Sequence, residues 1–159
     1  MAAILRVYGI MLLKGMGQTL LMTLLTLVIA TIIGMIFGLM NVGRNRILNL
    51  IGTVYVDAIR GVPLIVLAYF VFFGIPAGMQ GMGMRGFRLS ALQAGTIALS
   101  LNCGAYMAEI IRAGIESVDR GQMEASRSLG LSYGSSMALV VVPQAVRSEE
   151  HTSELQSLV

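Results

Sequence analysis

Three long stretches without a charged residue constrain this chain more than any other feature of its sequence. They cover residues 15–43, 61–84 and 89–108, which are 29, 24 and 20 residues long. An α-helix rises about 1.5 Å per residue, so about 20 apolar residues cross the roughly 30 Å hydrocarbon core of a bilayer. Each stretch is therefore long enough to form a membrane-spanning helix.

The composition also indicates a membrane protein. Of 159 residues, 56% are hydrophobic and only 12% are charged, whereas about 25% of the residues in a soluble domain are charged. These values exclude an ordinary water-soluble enzyme and a disordered chain. The single cysteine, Cys103, excludes an internal disulfide and a multi-cysteine metal site. The hydrophobic composition predicts contact with membrane lipid. The basic residues behind the net charge of +3 are scattered, so we expect no nucleic-acid partner.

The first span is expected to cover about residues 20–40, followed by a polar turn over residues 41–46. Within the span, Gly34 and Gly38 form a small-xxx-small pair. Such a pair allows another helix to approach closely. In a chain with 19 glycines the spacing can also arise by chance, so the pattern leaves both interpretations open.

The second span is expected to begin near Val54, because residues 62–73 alone are too short to cross a bilayer. Pro63 should kink this helix, since proline removes one backbone hydrogen bond. A stretch rich in glycine should end it, with Gly74, Pro76, Gly78, Gly81 and Gly83.

The third span should begin after Ser90, which has capping-box spacing to Gln93, and should end at about Ile111. A fourth charge-free stretch, residues 128–146, is interrupted by serines and glycines, and we expect interfacial or loop structure there.

Four charged residues should lie at the membrane edge, namely Asp57, Arg60, Glu109 and Arg112. The members of each pair are three residues apart, so they share a helix face and can form ion pairs. The pair on the third span either reaches towards water at the interface or lines a polar path. If residues 41–60 and 112–130 are cytoplasmic, they hold six arginines against four basic residues on the opposite side. The positive-inside rule then favours an N-terminus outside.

No catalytic or nucleotide-binding motif is convincing. The segment from Gly81 to Gly86 matches G-x-G-x-x-G, but no βαβ unit can surround it. The sole lysine, Lys14, follows a leucine rather than the glycine that a P-loop requires. We therefore expect no cofactor, no metal site, and no enzymatic activity from this chain.

The segment after the third span is charged yet helical in pattern. Arg112 and Glu116, and Arg120 and Glu124, have i,i+4 spacing, and Glu124 and Arg127 have i,i+3 spacing. These pairs predict a short amphipathic helix. Such a helix either lies on the membrane surface or docks into a groove of a partner.

The same segment resembles the EAA loop of permease subunits of ABC importers. That loop reads Glu-Ala-Ala, three residues, Gly, nine residues, Ile, one residue, Leu-Pro. The matching positions here are Glu124, Ala125, Ser126, Gly130, Val140, Val142 and Pro143. Three of them depart from the family pattern: Ser126 replaces alanine, Val140 replaces isoleucine and Val142 replaces leucine.

Three further segments are similar to the polar amino acid branch of that family. They cover residues 15–23, 55–63 and 106–118, in the family's order. The resemblance extends over about residues 9–146. The main alternative is a transporter or channel without an ATPase, which a neighbouring gene for an ATP-binding subunit would exclude.

The resemblance implies an all-α membrane protein of the bacterial inner membrane that couples ATP hydrolysis by a partner to amino acid import. Residues 1–146 would form three transmembrane helices of a truncated five-helix bundle and a cytoplasmic coupling helix. The implied partners are a cytoplasmic ATP-binding subunit, an extracytoplasmic amino acid-binding protein and a second permease subunit. The implied coupling residues are Gln122, Glu124, Ala125, Ser126, Leu129, Gly130 and Pro143.

Single residues of the loop receive roles from the same resemblance. Glu124 would anchor the loop, although its main role can also be a pair with Arg120 within the helix. Gly130 would allow a sharp turn, and Pro143 would break the following helix.

Residues 147–159 differ abruptly from the rest of the chain and contain its only histidine, His151. They resemble the conceptual translation of a sequencing adapter, so we expect an artefactual, disordered tail rather than a natural soluble one.

This expectation can be tested on genomic DNA. Sequencing past codon 146 should reveal two further apolar spans in place of the adapter-like residues. Finding the codons for residues 147–159 in the genome itself, followed by a stop codon, would contradict both the artefact and the five-helix bundle.

Overall fold

A computed structural model of the protein describes residues 2–43 and 45–146, with side chains from residue 8 onwards. The tail expected at residues 147–159 lies outside the described residues. Within those residues every regular element is a helix. The helices are α1 (Ala2–Val42), α2 (Arg46–Gly61), α3 (Leu64–Gly81), α4 (Ala91–Glu116), α5 (Arg120–Ser128) and α6 (Tyr133–Val146).

Three of these helices are long and apolar enough to cross a membrane: α1 over Tyr8–Val42, α3 and α4. The prediction of an all-α protein with three spans is therefore confirmed. The first span is longer than expected, because no proline interrupts the chain before residue 63. The helix α4 begins at the predicted capping box, where Ser90 and Gln93 bond to each other's backbone N–H groups.

The start predicted for the second span was wrong. The helix that carries Asp57 begins at Arg46, where the Asn45 side chain accepts a hydrogen bond from the Ile47 N–H, and it ends at Gly61. Val62 and Pro63 are then extended, because proline disfavours the helical conformation in the residue before it. The chain therefore breaks at Pro63 instead of kinking, and the span is α3, which starts afresh at Leu64.

The helix α3 continues through Gly74 and Pro76 and ends at Gly81, within the glycine-rich stretch that was predicted to end it. A π-helical turn, Phe70–Gly74, lies just before Pro76, and the Ile75 N–H donates to the Phe70 carbonyl five residues back. Proline has no N–H to donate, and its ring clashes with the carbonyl four residues before it. The wider turn moves that carbonyl away from the ring, so the helix continues past Pro76.

The same arrangement occurs in α6, where loop or interfacial structure was expected. The π-helical turn Met137–Val141 precedes Pro143, and the Val142 N–H donates to the Met137 carbonyl. The residues after this turn remain helical to Val146. Pro143 therefore lies inside α6 and does not break it, contrary to the prediction.

The helices α1 and α4 pack side by side through glycine. A Cβ atom on Gly34 would lie 2.6 Å from the Met107 Cβ, and one on Gly38 would lie 3.0 Å from the Ile111 Cβ. The distance at Gly34 is shorter than real carbon contacts, and the distance at Gly38 is tighter than most of them. The small-xxx-small pair therefore forms a close helix interface, and chance is not its explanation.

The helix α4 contributes its own glycine to this interface. A Cβ atom on Gly104 would lie 2.6 Å from the Ile33 Cγ2. Nearer the start of both helices, Met22 approaches Gly95. Residue numbers rise together in the two helices, so α1 and α4 run parallel, as two spans separated by one return span must. The return span α3 packs against α4 through Leu67, Val71, Ala94 and Ala98.

The glycine interface predicts the effect of one added methyl group. Gly34→Ala should lower the free energy of unfolding in detergent by about 1–3 kcal/mol, because the new Cβ overlaps Met107. Gly17→Ala is the matched control in the same helix, since nothing lies within 4 Å of its new Cβ. It should be neutral or stabilise by up to about 1 kcal/mol through helix propensity. Equal effects of the two substitutions on denaturant-induced unfolding would contradict the close packing.

Candidate functional site

The helix α5 has well-defined ends. At its start, the Asp119 side chain accepts a hydrogen bond of 2.6 Å from the Gly121 N–H. At its end, the Gly130 N–H donates to the Arg127 carbonyl and the Leu131 N–H donates to the Ser126 carbonyl. This is a Schellman motif, which needs a left-handed residue, and Gly130 supplies it with φ of +88°. The chain turns there and enters α6, where the Ser132 side chain caps the Ser135 N–H.

One face of α5 is exposed and the other is buried. Leu129 is 85% exposed, and Gln122, Glu124 and Ala125 are exposed as well. Ser126 is only 4% exposed, and its hydroxyl donates to the Met123 carbonyl at 2.9 Å. The hydroxyl that distinguishes Ser126 from the family's alanine is therefore satisfied within the helix.

Glu124 does not form the pairs that its spacing predicted. Among the described residues, the ion pairs within 4.0 Å join Arg60, Glu109, Arg112 and Glu116. The exposed Glu124 carboxylate pairs with neither Arg120 nor Arg127, nor with any other cation among the described residues. The predicted pair of Arg112 and Glu116 is present, at 2.6 Å.

The buried face of α5 contacts α6 and the end of α4. Met123 packs against a cluster of Ile115, Val141 and Ala145. Beside it, the Gln144 side-chain N–H donates to the Gln122 side-chain oxygen at 3.2 Å. Sequence reasoning did not assign a role to Gln144 or Met123. Gln144 bonds to a side chain 22 positions away, and Met123 packs against residues of two other helices, so no periodic pattern links these partners.

The charged residues predicted at the membrane edge meet between α2 and α4. Arg112 binds the Glu109 carboxylate with two N–H groups, at 3.1 and 2.5 Å. Arg60 of α2 lies 3.8 Å from the same carboxylate and 5.3 Å from the ring centre of Tyr106. The expected pair of Asp57 and Arg60 is absent from the ion pairs of the described chain, because Arg60 reaches across to α4 instead.

These charged residues also line a cavity. A cavity of about 330 Å³ lies between α1, α2 and α4. Its lining is mostly polar and includes all four predicted edge residues, in the set Asn41, Asn49, Thr53, Val56, Asp57, Arg60, Glu109, Arg112 and Glu116. No group of three or more His, Cys, Asp or Glu residues suited to a metal ion occurs in the described part of the chain.

Neutral contacts hold α2 in place beside this cavity. The Tyr55 hydroxyl donates to the Leu101 carbonyl at 2.9 Å, and its ring stacks on Phe37 with ring centres 4.0 Å apart. The Asn49 side chain donates to the Asn41 carbonyl. These contacts join α1, α2 and α4 at one end of the bundle. The two segments assigned to one side of the membrane, residues 41–60 and 112–130, thus lie at the same end.

The sequence matches one protein family over most of its length. Residues 30–148 match the family described as the binding-protein-dependent transport system inner membrane component. The matched range includes α2 to α6 and the last part of α1.

Two relatives from Bacillus subtilis strain 168 extend the comparison. A probable glutamine ABC transporter permease protein is 38% identical over 137 residues, which is 86% of this chain and 60% of the relative. An arginine transport system permease protein is 36% identical over 136 residues, with 86% and 59% covered. The chain spans about 60% of the length of the curated relatives that it matches.

A solved structure is also similar to this protein. The crystal structure of an amino acid ABC transporter with histidines superimposes with a TM-score of 0.67 and 35% identity. The match covers 86% of this chain and 64% of the other.

The ionic contacts between α2 and α4 generate a second prediction. Glu109→Gln should lower the free energy of unfolding by about 0.2–1 kcal/mol, because Arg60 and Arg112 both lose their carboxylate partner. Glu116→Gln removes a single, more exposed contact and should have a smaller effect. The difference between the variants should shrink in 1 M salt, where the screening length is about 3 Å. Equal losses in unfolding titrations would argue against the bridge.

Proposed function

Because the chain belongs to the family of binding-protein-dependent transport system inner membrane components, we propose that it is the membrane-spanning part of a permease subunit in an ATP-driven importer of polar amino acids. It is an inner membrane protein, and its described residues form three apolar helices able to span the bilayer. The observation that carries the proposal is α5, a short polar helix with capped ends at one end of the bundle. The energy for import comes from a separate subunit that hydrolyses ATP.

The exposed face of α5 suits a protein partner better than a lipid surface. An interfacial helix buries a broad apolar face in the membrane. Here the apolar Met123 packs into the protein, and the outer face carries Glu124 and one large exposed apolar side chain, Leu129. One apolar anchor surrounded by polar groups is typical of a docking surface between proteins. We infer that the ATP-binding subunit binds there.

The coupling residues have distinct roles in this proposal. Gln122, Glu124, Ala125 and Leu129 present the exposed face. Ser126 and Gly130 shape the helix and its end, since one is buried and the other makes the left-handed turn. Pro143 sets the π-helical turn of α6.

The other partners and the substrate class follow from the family and from the named relatives. Those relatives are called glutamine and arginine permeases, so the shared chemistry is a polar amino acid. The family description implies an extracytoplasmic binding protein that delivers it. A second permease subunit would complete the translocation path. This chain would not transport without these partners.

Docking through α5 is tested by co-purification with the ATP-binding subunit. Gly130→Val in the permease gene should reduce co-purification and amino acid uptake severalfold, because a β-branched residue strains at φ of +88° and displaces the end of α5. Gly134→Ala is the matched control four residues later, with ordinary φ and nothing within 4 Å of its new Cβ. Glu124→Ala should also weaken association.

One result would contradict docking through α5. If the Gly130 and Glu124 variants retain both ATP-binding subunit and uptake at the level of the Gly134 control, α5 is not the docking surface.

A further inference from the structure

The helix α2 is amphipathic along its whole length. Its polar residues recur every three or four positions and form one stripe, made of Arg46, Asn49, Thr53, Asp57 and Arg60. Four of them, from Asn49 to Arg60, line the polar cavity between α1, α2 and α4. The residues between these positions are mainly apolar, so another side of the helix carries hydrocarbon side chains.

The apolar side of α2 is largely uncovered by the described part of the chain. Its large side chains are between 44% and 69% exposed, namely Ile47, Leu48, Leu50, Ile51 and Val54. The residues that hold α2 to the bundle occupy other positions, since Gly52 and Val56 are buried and Tyr55 stacks on Phe37. A contiguous exposed apolar face of this kind marks a contact with a membrane or with another protein.

The contacts of α2 place it at the edge of the membrane. Gly52 lies against the side chain of Asn41, which is one residue before the end of α1. Arg60 lies 3.8 Å from the carboxylate of Glu109, the first charged residue after the charge-free stretch of α4. Both spans therefore change from apolar to polar where α2 crosses them.

At this level the apolar side of α2 suits lipid better than a protein partner. On α5 one large apolar side chain, Leu129, is exposed among polar groups, as is typical of a docking surface. On α2 five large apolar side chains are adjacent, and the exposed Arg46 at the start of the helix is suited to anionic headgroups. A broad apolar side next to a polar stripe is typical of a helix that lies in the membrane interface.

We propose that α2 is an interfacial anchor, whose apolar side is buried in the acyl chains of the leaflet at the α5 end of the bundle. Such helices lie about 5–10 Å into the boundary between headgroups and acyl chains. The polar stripe then faces the cavity and water, and Asp57 and Arg60 stay near the headgroups. The partner of this surface is lipid rather than a second copy of the chain. This role of α2 is independent of what binds α5.

Nitroxide labels on the two sides of α2 test the anchor. Single cysteines are introduced by Val54→Cys on the apolar side and Thr53→Cys on the polar stripe, after Cys103→Ser removes the only cysteine of the chain. The labelled permease is reconstituted in vesicles of phosphatidylethanolamine and phosphatidylglycerol. Oxygen concentrates in hydrocarbon and a nickel chelate stays in water, so collisions with each reagent report the surroundings of the label. The Val54 label should collide with oxygen and be protected from nickel, and the Thr53 label should show the reverse.

Two results of this experiment would overturn the proposal. Free access of nickel to the Val54 label would place the apolar side of α2 in water. Protection of that label from both reagents would place it beneath protein, such as a second copy of the chain.

A charge placed on each side of α2 gives a second readout. Leu50→Asp should reduce the folded permease recovered from membranes severalfold, because a carboxylate in the acyl region is costly. Thr53→Asp, the matched control on the polar stripe, should leave recovery close to that of the unmodified chain. Equal recovery of the two variants would be inconsistent with an apolar side buried in lipid.

Discussion

The close parallel contact between α1 and α4 is the constraint on which the remaining structure depends. Lipid tails are as apolar as leucine side chains, so membrane helices associate through close packing rather than through a hydrophobic driving force. Gly34, Gly38 and Gly104 remove the side chains that would keep the two backbones apart. The ends of α1 and α4 then lie together, and this end carries α2, the polar cavity and the attachment of α5.

Proline provides the second organising device in the bundle. Pro76 and Pro143 each follow a π-helical turn by two residues, and both helices continue past them. Pro63 follows no such turn, and there the helix stops. The same residue type thus follows the end of one helix and lies inside two others. The geometry of the preceding turn decides which occurs.

Local sequence signals predicted much of the architecture. The three charge-free stretches gave the number of spans, Ser90 and Gln93 gave the start of α4, and the charge pattern gave a short helix at α5. The second span was predicted less well because Pro63 and Pro76 were each assigned an average effect. Pro63 separates two helices instead of kinking one, and Pro76 is accommodated by the wider turn before it. At the candidate site, the ion pair of Arg112 and Glu116 joins residues one turn apart, so the sequence could predict it. The contacts of Arg60 with Glu109 and of Gln122 with Gln144 join distant helices, so no spacing rule could identify them.

The break at Val62 and Pro63 has a consequence for biogenesis. Insertion of a helix from the translocon into lipid costs about 2.5–3.5 kcal/mol for each aspartate or arginine at the centre of the segment. Because the backbone is extended between α2 and α3, Asp57 and Arg60 belong to a different segment from the apolar residues that follow. The nascent chain can therefore insert α3 into the lipid while Asp57 and Arg60 stay outside the hydrocarbon core.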